Sequence, residues 1–493
     1  MNLIRDPWIP ALRSDGTRAL FSLHDLFAQA DTLRDLAVKP HERVALMRLL
    51  VCITHGALKG PDDEGAWQTC LPQIQPRVGK YLDAQQPAFE LFGPGPRFLQ
   101  VPNLSAVDES RDGNAATKLD LTLATGNNST LFDTRAGERR EMSPARSALN
   151  LLTFQCFALA GPIGVAKWDG ADTEGKRTSN HAPCTPSSMA HTLVLGKTLL
   201  ETVHHNLLSR KTVLDVYGAN GWGKPVWEQP VARASDGLAV KNATTTFLGR
   251  LVPLSRAIRL ADDGCTIVLA NGLTYPNFPV FREATATIIK RKDELALLPT
   301  STRNSLWRQL AAITVTRHVG ADVACGPLAL RYDSGSPETS LWVGSLVTSK
   351  IAKIEDVVES TFALPSGMFT DFGRVAYEKG VAYAESWEGA LMHAVKTYAS
   401  TLKVVAPPYD RARREFWTQL EQKLSALFEL ARHPDLIADL PGSSWGAAAH
   451  DAAVLSFRHA CPPQSPRQVQ AHALGRTKLF VPSGNTLPTP TAQ

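Results

Sequence analysis

The sequence predicts an α+β protein: a large mixed α/β body over residues 1–366, a C-terminal four-helix bundle over 367–481 and a disordered tail over 482–493. Three observations carry this expectation. Short β-branched runs alternate with turn signals between 244 and 294 and again between 327 and 365. Beyond Ser366 the apolar residues recur at helical spacing instead. The last dozen residues are rich in Pro and Thr, a composition expected of a disordered end.

The elements follow in order. Leu3 and Ile4 precede Asp6-Pro7-Trp8-Ile9-Pro10, whose prolines forbid helix and fix an extended path. Asp15-Gly16 marks a turn between two extended runs, and Ser22 caps a short helix through Leu26 and Phe27. Pro40 starts an apolar, buried helix, HERVALMRLLVCITHGAL, that ends between Gly56 and Gly60-Pro61. Residues 87–102 interleave Phe89, Phe92 and Phe98 with Pro and Gly, which reads as an ordered loop packing its rings onto the core. Residues 103–147 hold few apolar periods and a charged stretch over 135–146, so a long exposed loop is expected, either functional or disordered. An apolar helix over 148–160 runs into Gly161-Pro162-Ile163-Gly164, a polar loop follows over 165–187, and regular structure resumes over 193–208. Extended runs are predicted at 244–248, 257–260, 266–269 and 286–290, with Asn271-Gly272 as the hairpin turn. In the C-terminal part Val381, Ala384, Trp387, Leu391 and Val395 predict a helix over 375–402, stopped by Pro407-Pro408. A second helix is expected over 411–431, a third over 441–460, and a fourth from Arg467.

Composition narrows the function without naming it. With 44% hydrophobic and 20% charged residues the 493-residue chain has ample material for a globular core. No run approaches the roughly 18 apolar residues of a membrane span. Residues 1–10 carry Arg5 and Asp6 and lack a secretory apolar stretch, so a cytoplasmic protein is expected. Seven widely spaced cysteines, with no CxxC pair, argue against a disulfide framework or a structural zinc site, and Cys52 reads as a small buried hydrophobe. The net charge of +5 is too small to diagnose a nucleic-acid binder, so local clusters must carry that case.

Motifs for catalysis are missing. There is no GxxxxGK[ST], GxSxG or HExxH, and no metal, cofactor or catalytic residue is expected. His204-His205 are adjacent and so point apart on a helix; Asp62-Asp63-Glu64 read as solvated acids, and Asp262-Asp263-Gly264 as a turn. What remains suits binding: glycine-bearing loops with basic residues beside them. These are Lys167, Lys176 with Arg177, Arg210 with Lys211, and Lys290-Arg291-Lys292, with Arg411, Arg413 and Arg414 as a further patch. Glycine lets backbone approach a phosphate or groove closely, and nearby Lys and Arg neutralise phosphates.

The block Asn2-Leu3-Ile4, Pro7-Trp8-Ile9-Pro10, Asp15-Gly16, Ser22-Leu23, Leu26-Phe27 and Arg48-Leu49-Leu50 resembles the start of the CasA family. That family is the large subunit of the type I-E CRISPR surveillance complex, Cascade. The resemblance continues through Phe98-Leu99-Gln100-Val101, Leu131-Phe132, Asn206-Leu207-Leu208, Lys224-Pro225-Val226-Trp227-Glu228 and Leu330-Arg331-Tyr332-Asp333. It implies a non-catalytic subunit that works with crRNA, target double-stranded DNA, the other Cascade subunits and a separate nuclease-helicase effector, away from membranes. Its role would be to read the protospacer-adjacent motif, or PAM, and help open the duplex for R-loop formation.

Carried over residue by residue, the resemblance implies a docking loop to the guide and backbone subunits around Asn128, Phe132 and Arg135. It implies a glycine loop at the PAM minor groove around Gly161 and Gly164, a PAM-reading hairpin at Asn271 and Gly272, and a strand-separating wedge over 333–339 with Ser334, Gly335 and Ser336. Lys167, Lys176, Arg177, Arg210 and Lys211 would hold phosphates. Two departures stand out: no lysine occurs between Arg259 and Arg282, where the family's hairpin can present one, and 333–339 contains no glutamine. Different side chains at the same loops are therefore expected. Two other readings compete, a protein scaffold bridging subunits with incidental nucleic-acid contact and a metal-dependent nuclease.

Overall fold

The computed structural model describes residues 1–101, 103–107, 113–123, 141–173, 175, 180–278, 280–302, 304–316, 323–332 and 336–481. The chain divides into two compact units. One is drawn from residues 1–303, 316–333 and 340–361, the other from 304–315, 334–339 and 362 onward.

The first unit opens on a three-stranded antiparallel sheet in which Ile9–Arg13 lies between Arg18–Phe21 and Leu33–Leu36. Gly16, at φ +86°, makes its first turn. Ser22 then caps the helix Leu23–Ala28 by accepting from the Asp25 N–H at 3.0 Å, as its sequence predicts. The helix Pro40–Leu58 is the axle of this unit. Every side chain from His41 to His55 is buried, so the helix shows no polar face and periodicity alone could not have assigned its partners. Phe89 and Phe98, both buried, stack on each other at 5.1 Å, and Pro144–Phe157 packs alongside the axle, capped by Ser143.

Arg48 sits in the middle of that axle, 3% exposed. Its guanidinium donates to the carbonyls of Leu251 (2.8 Å) and Arg250 (2.7 Å) and to Glu283 Oε2 (2.7 Å), while Arg250 Nε donates to Glu283 Oε1. Burial alone would raise the Glu283 carboxyl, but Arg250 and Arg48 outweigh it and hold the pKa down at about 2.

Three sequence expectations need correction. Residues 244–248 are helical, not extended: they fall in Gly237–Thr245 and Phe247–Leu251. The β-branched threonines are accommodated because each hydroxyl bonds back to a carbonyl four residues earlier, Thr244 to Val240 (2.8 Å), Thr245 to Lys241 (2.7 Å) and Thr246 to Asn242 (2.7 Å). Thr246 also accepts from the Gly249 N–H as the second helix's cap.

Asn271-Gly272 is not a hairpin turn. The strands Arg256–Leu260 and Thr266–Asn271 pair antiparallel, and the chain reverses at Asp262-Asp263-Gly264, with Gly264 at φ +68°. Asn271 sits at the strand end opposite Arg256, and Gly272 is glycine because a Cβ there would stand 2.4 Å from the Leu254 carbonyl oxygen. The third correction concerns the second bundle helix, taken up below.

Two further hairpins follow. Ile288–Arg291 pairs with Glu294–Leu297 through an exposed Lys292-Asp293 turn, Lys292 lying at φ +53°. Glu338–Ser349 and Lys353–Pro365, the two longest strands, form a sheet with His191–Leu195.

In the second unit the helix Asp371–Leu402 packs against Tyr409–Glu421, Leu424–Arg432, Ser444–Ala460 and Pro466–Arg476. The expected 411–431 helix is therefore two, broken at Gln422 and Lys423, where no Gly or Pro marks the stop. Trp307 joins this interior between Trp417 (5.7 Å) and Trp445 (6.0 Å), its carbonyl accepting from the Tyr377 hydroxyl at 2.6 Å. Trp445 in turn donates to the Gly380 carbonyl at 2.7 Å. Among the described residues no helix is long and apolar enough to cross a membrane.

Candidate nucleic-acid interface

The helix Pro144–Phe157 ends at Ala158, and the next residues are pinned before the chain enters Gly161-Pro162-Ile163-Gly164. The Leu159 carbonyl accepts from Arg256 Nη2 at 2.6 Å, and Arg256 Nη1 donates to the Ser255 carbonyl at 2.7 Å. Burial lowers this guanidinium's pKa to about 10, which leaves it charged at neutral pH. The Ala160 N–H donates to the Ile351 carbonyl at 2.9 Å.

Past this anchor the constraints stop. A Cβ built on Gly161 or Gly164 meets nothing within 4 Å, and neither residue has a left-handed φ. Among the described residues nothing requires glycine at either position. Their bare backbone opens onto space that a partner can approach closely.

Ile351 belongs to the turn between the two long strands. Lys350 (φ +51°) and Ile351 (φ +57°) are both left-handed, and the Ala352 N–H donates to the Ser349 carbonyl at 3.1 Å. That is a two-residue hairpin of the kind normally made by Asn-Gly. A β-branched residue in this conformation is a genuine outlier. Lys350 and Ala352 are exposed, and Ile351 and Lys353 partly so.

The arrangement gathers some of the sequence-predicted residues and disperses others. Ala160, which leads into Gly161, is bonded to the turn at 350–351. Asn271 pairs across its sheet with Arg256, whose guanidinium holds Leu159. Lys167 follows on the short strand Ala166–Trp168, exposed and opposite Asp172 in register. On a neighbouring loop His181 Nε2 meets Asn277 Oδ1 at 3.0 Å, and desolvation lowers its pKa, favouring the neutral ring.

Gly272 is half-exposed, with the backbone of Leu254 and Arg256 packed against the place a Cβ would take. Ser336 precedes the first residue of Glu338–Ser349, whereas the turn at 350–351 follows its last, so that turn is a different segment from the expected wedge at 333–339. Lys211 is engaged by Asp215 at 2.9 Å. Arg210 stacks 5.2 Å from the Trp222 ring in a separate cleft. Ser334, Gly335, Lys176, Arg177, Asn128, Phe132 and Arg135 lie outside the described residues. His204, tempting as a metal ligand, instead stacks on Trp67 at 4.4 Å and bonds its carbonyl.

Two elements escaped the sequence reading. The two central residues of the turn Ser349-Lys350-Ile351-Ala352 are not among those that announce a turn. Lys290-Arg291-Lys292 was visible as a basic cluster, but its place on a hairpin tip was not.

The family model for the CRISPR-associated protein Cse1 matches residues 2–455 of this chain. A curated relative, the CRISPR-associated protein CasA/Cse1 of Thermus thermophilus, is 29% identical over 439 residues, covering 83% of this chain and 79% of its own length. The solved structure of Thermus thermophilus CasA (Cse1) superposes with a TM-score of 0.77 at 23% identity, over 97% of this chain and 99% of that one. A chain in the structure of a CRISPR RNA-guided surveillance complex superposes with a TM-score of 0.75 at 17% identity, over 98% and 99%. At such identities the superpositions speak for the fold; the family match, spanning both units, speaks for descent. The chain belongs to the CRISPR-associated Cse1 family, also called CasA.

Proposed function

We propose that this chain is the non-catalytic large subunit of a crRNA-guided, type I-E surveillance complex that reads the PAM on duplex DNA and begins its opening. The observation that carries the reading is the juxtaposition of an unobstructed glycine segment with a left-handed hairpin tip, joined by the Ala160–Ile351 hydrogen bond. Minor-groove reading distinguishes chiefly A·T from G·C, so backbone approach at Gly161 and Gly164 with one or two polar side chains is enough for a short motif. Unstacking a base step costs a few kcal/mol and is commonly driven by an apolar side chain used as a wedge. Ile351, held out on a rigid two-stranded arm, has the chemistry for that role where the family pattern would use glutamine.

The exposed hairpin carrying Lys290, Arg291 and Lys292 supplies the lysine-bearing hairpin that the 256–271 pair, with its acidic Asp262-Asp263 tip, does not. Membership of the Cse1 family supports the partners: crRNA, target double-stranded DNA, other Cascade subunits and a separate nuclease-helicase effector.

The test is to assemble the complex with its guide and measure binding to a target library with a randomised PAM. Gly161→Val and Gly164→Val add side chains into open space, so the fold should survive. Target affinity is expected to fall about tenfold or more, equivalent to about 1.4 kcal/mol, with relaxed PAM preference. Unchanged affinity and preference in both variants, and in Lys350→Ala/Ile351→Gly, would overturn the reading.

A further inference from the structure

A cleft of about 730 Å³ lies in the first unit between the end of the helix Pro40–Leu58, the helix Leu71–Gln85 and the loop at 221–225. None of its residues belongs to the interface described above. Five cationic side chains line it, Lys59, Arg77, Lys80, Arg210 and Lys224, against a single carboxylate, Glu228. That carboxylate is engaged by the Tyr81 hydroxyl, which also accepts from the Trp227 indole N–H at 2.7 Å. Among the described residues none of the five cations has an ion-pair partner, although Lys211, next in sequence to Arg210, does. His55, also in the lining, adds no charge, since burial lowers its pKa to about 4.

The walls are built rigidly. Asn242 clasps the backbone of Lys224 through two 2.9 Å hydrogen bonds, one to its N–H and one from its own amide to the Lys224 carbonyl. The Phe247 and Leu248 N–H groups hold the carbonyls of Gly221 (2.7 Å) and Trp222 (3.0 Å). Gly223 is left-handed at φ +71°, and a Cβ there would collide with Thr246. Gly56 leaves room for the Tyr81 hydroxyl, which a Cβ would meet at 2.7 Å. The lysine loop is thus presented in one conformation, which reduces the entropy lost on binding.

A structural role accounts for part of the charge. Arg77 donates to the Leu58 carbonyl at 3.4 Å and Arg210 to the Lys59 carbonyl at 3.5 Å, so both cap the negative end of the helix Pro40–Leu58. Arg210 also covers the Trp222 ring at 5.2 Å. Among the described residues the side chains of Lys59, Lys80 and Lys224 make no such bond. Three exposed ammonium groups beside two guanidiniums repel one another, and an anion in the cleft would relieve that repulsion.

We propose that this cleft seats the sugar-phosphate backbone of single-stranded nucleic acid, as a contact separate from the PAM-reading site. The inference rests on the nucleic-acid reading above. Its volume falls within the roughly 300–1,000 Å³ of clefts that enclose small ligands, room for a short stretch of one strand rather than a duplex. Lysines presented as point charges neutralise phosphates without selecting a base. Of the aromatic rings in the lining, Trp222 is buried and covered by Arg210 and the Tyr81 hydroxyl is engaged by Glu228 and Trp227, so base stacking contributes little and binding is indifferent to sequence.

The experiment compares the full chain with its Lys59→Gln/Lys80→Gln/Lys224→Gln variant; all three are surface residues, so the fold should survive, which circular dichroism checks. Affinity for a fluorescein-labelled single-stranded oligonucleotide is measured across a salt series. Losing three phosphate contacts should make the log–log salt slope shallower by about 2, at roughly 0.7 per contact on single strands. An unchanged single-strand slope overturns the proposal. So does a slope that changes only on the duplex of the same sequence, or a variant that loses poly-glutamate binding while keeping DNA binding, which would make the cleft a seat for an acidic protein segment. PAM preference in the assembled complex should be the same for this variant as for the parent. A parent complex that shows no PAM preference would instead sink the reading of the 161–164 interface and leave the cleft's result standing by itself.

Discussion

Ile351 is the residue where local conformation and side-chain chemistry disagree most. Holding a β-branched residue at φ +57° costs on the order of 1–3 kcal/mol, and glycine would remove that cost. Ile351→Gly is therefore expected to raise the urea midpoint of the chain, by a stability gain of about 1 kcal/mol, while target-strand opening in the assembled complex slows. Equilibrium unfolding and a fluorescent-base opening assay read the two effects separately. A variant that is less stable, or one that opens targets normally, would show that the turn is simply tolerated. The same disagreement explains why the site was only half legible. The resemblance to the CasA family, rather than any local signal, pointed to Gly161 and Gly164 as candidates. The 350–351 turn was missed because Lys and Ile carry no turn signal, and Asn271-Gly272, which does carry one, uses its glycine to pass the Leu254 carbonyl instead.

At the scale of elements, helix identity in the second unit was legible and helix boundaries were not. The apolar spacing of Trp387, Leu391 and Val395 specifies the buried stripe of Asp371–Leu402 wherever its partners lie. The break after Glu421 has no local cause and arises from packing. Gly380 shows how close that packing is: a Cβ there would stand 2.6 and 2.7 Å from methyl groups of Leu427 and Leu430. Two effects oppose each other in Gly380→Ala. Helix propensity favours alanine by about 1 kcal/mol, whereas overpacking costs typically 1–3 kcal/mol. Leucine ends are movable but the Trp445 indole, bonded to the Gly380 carbonyl, limits how far they can retreat. Overpacking should win, and Gly380→Ala should lower the thermal midpoint. A raised midpoint would mean that Leu427 and Leu430 reorient freely. Threonines 244–246 teach the converse lesson, since their β propensity was real but their hydroxyls found helical acceptors.

The first unit as a whole is tied together by groups that no local pattern could reveal. Arg48 and Glu283 are separated by 235 residues, and the 250–251 carbonyls join them from a third segment. Arg250 is further covered by Phe281 at 4.3 Å and Tyr275 at 5.4 Å. In sequence Arg48 was legible only as part of an ordered family pattern, and Glu283 not at all, because pairing across such a distance depends on the fold being complete. Charge neutrality of the network is not met, since two guanidiniums share one carboxylate, and the carbonyl acceptors compensate. Removing that carboxylate by Glu283→Gln leaves two buried cations facing each other and is expected to cost about 3–5 kcal/mol. The pH dependence follows from the direction of the shift. The folded pKa of Glu283, about 2, lies below the unfolded value of about 4.3. Its contribution is therefore fully present above the unfolded pKa and is lost as pH falls from there through about 2. Asp120 behaves likewise: burial raises its pKa, but Arg146 and the Thr122 hydroxyl outweigh it and hold it at about 2. Denaturant titrations at a series of pH values should then show the parent losing stability steeply between about pH 4 and 2. Glu283→Gln, already weaker at neutral pH, should lose less over that window and retain only the share due to Asp120 and other carboxylates. Parallel curves for the two proteins would mean that the Glu283 carboxylate does not hold the two arginines in the folded state.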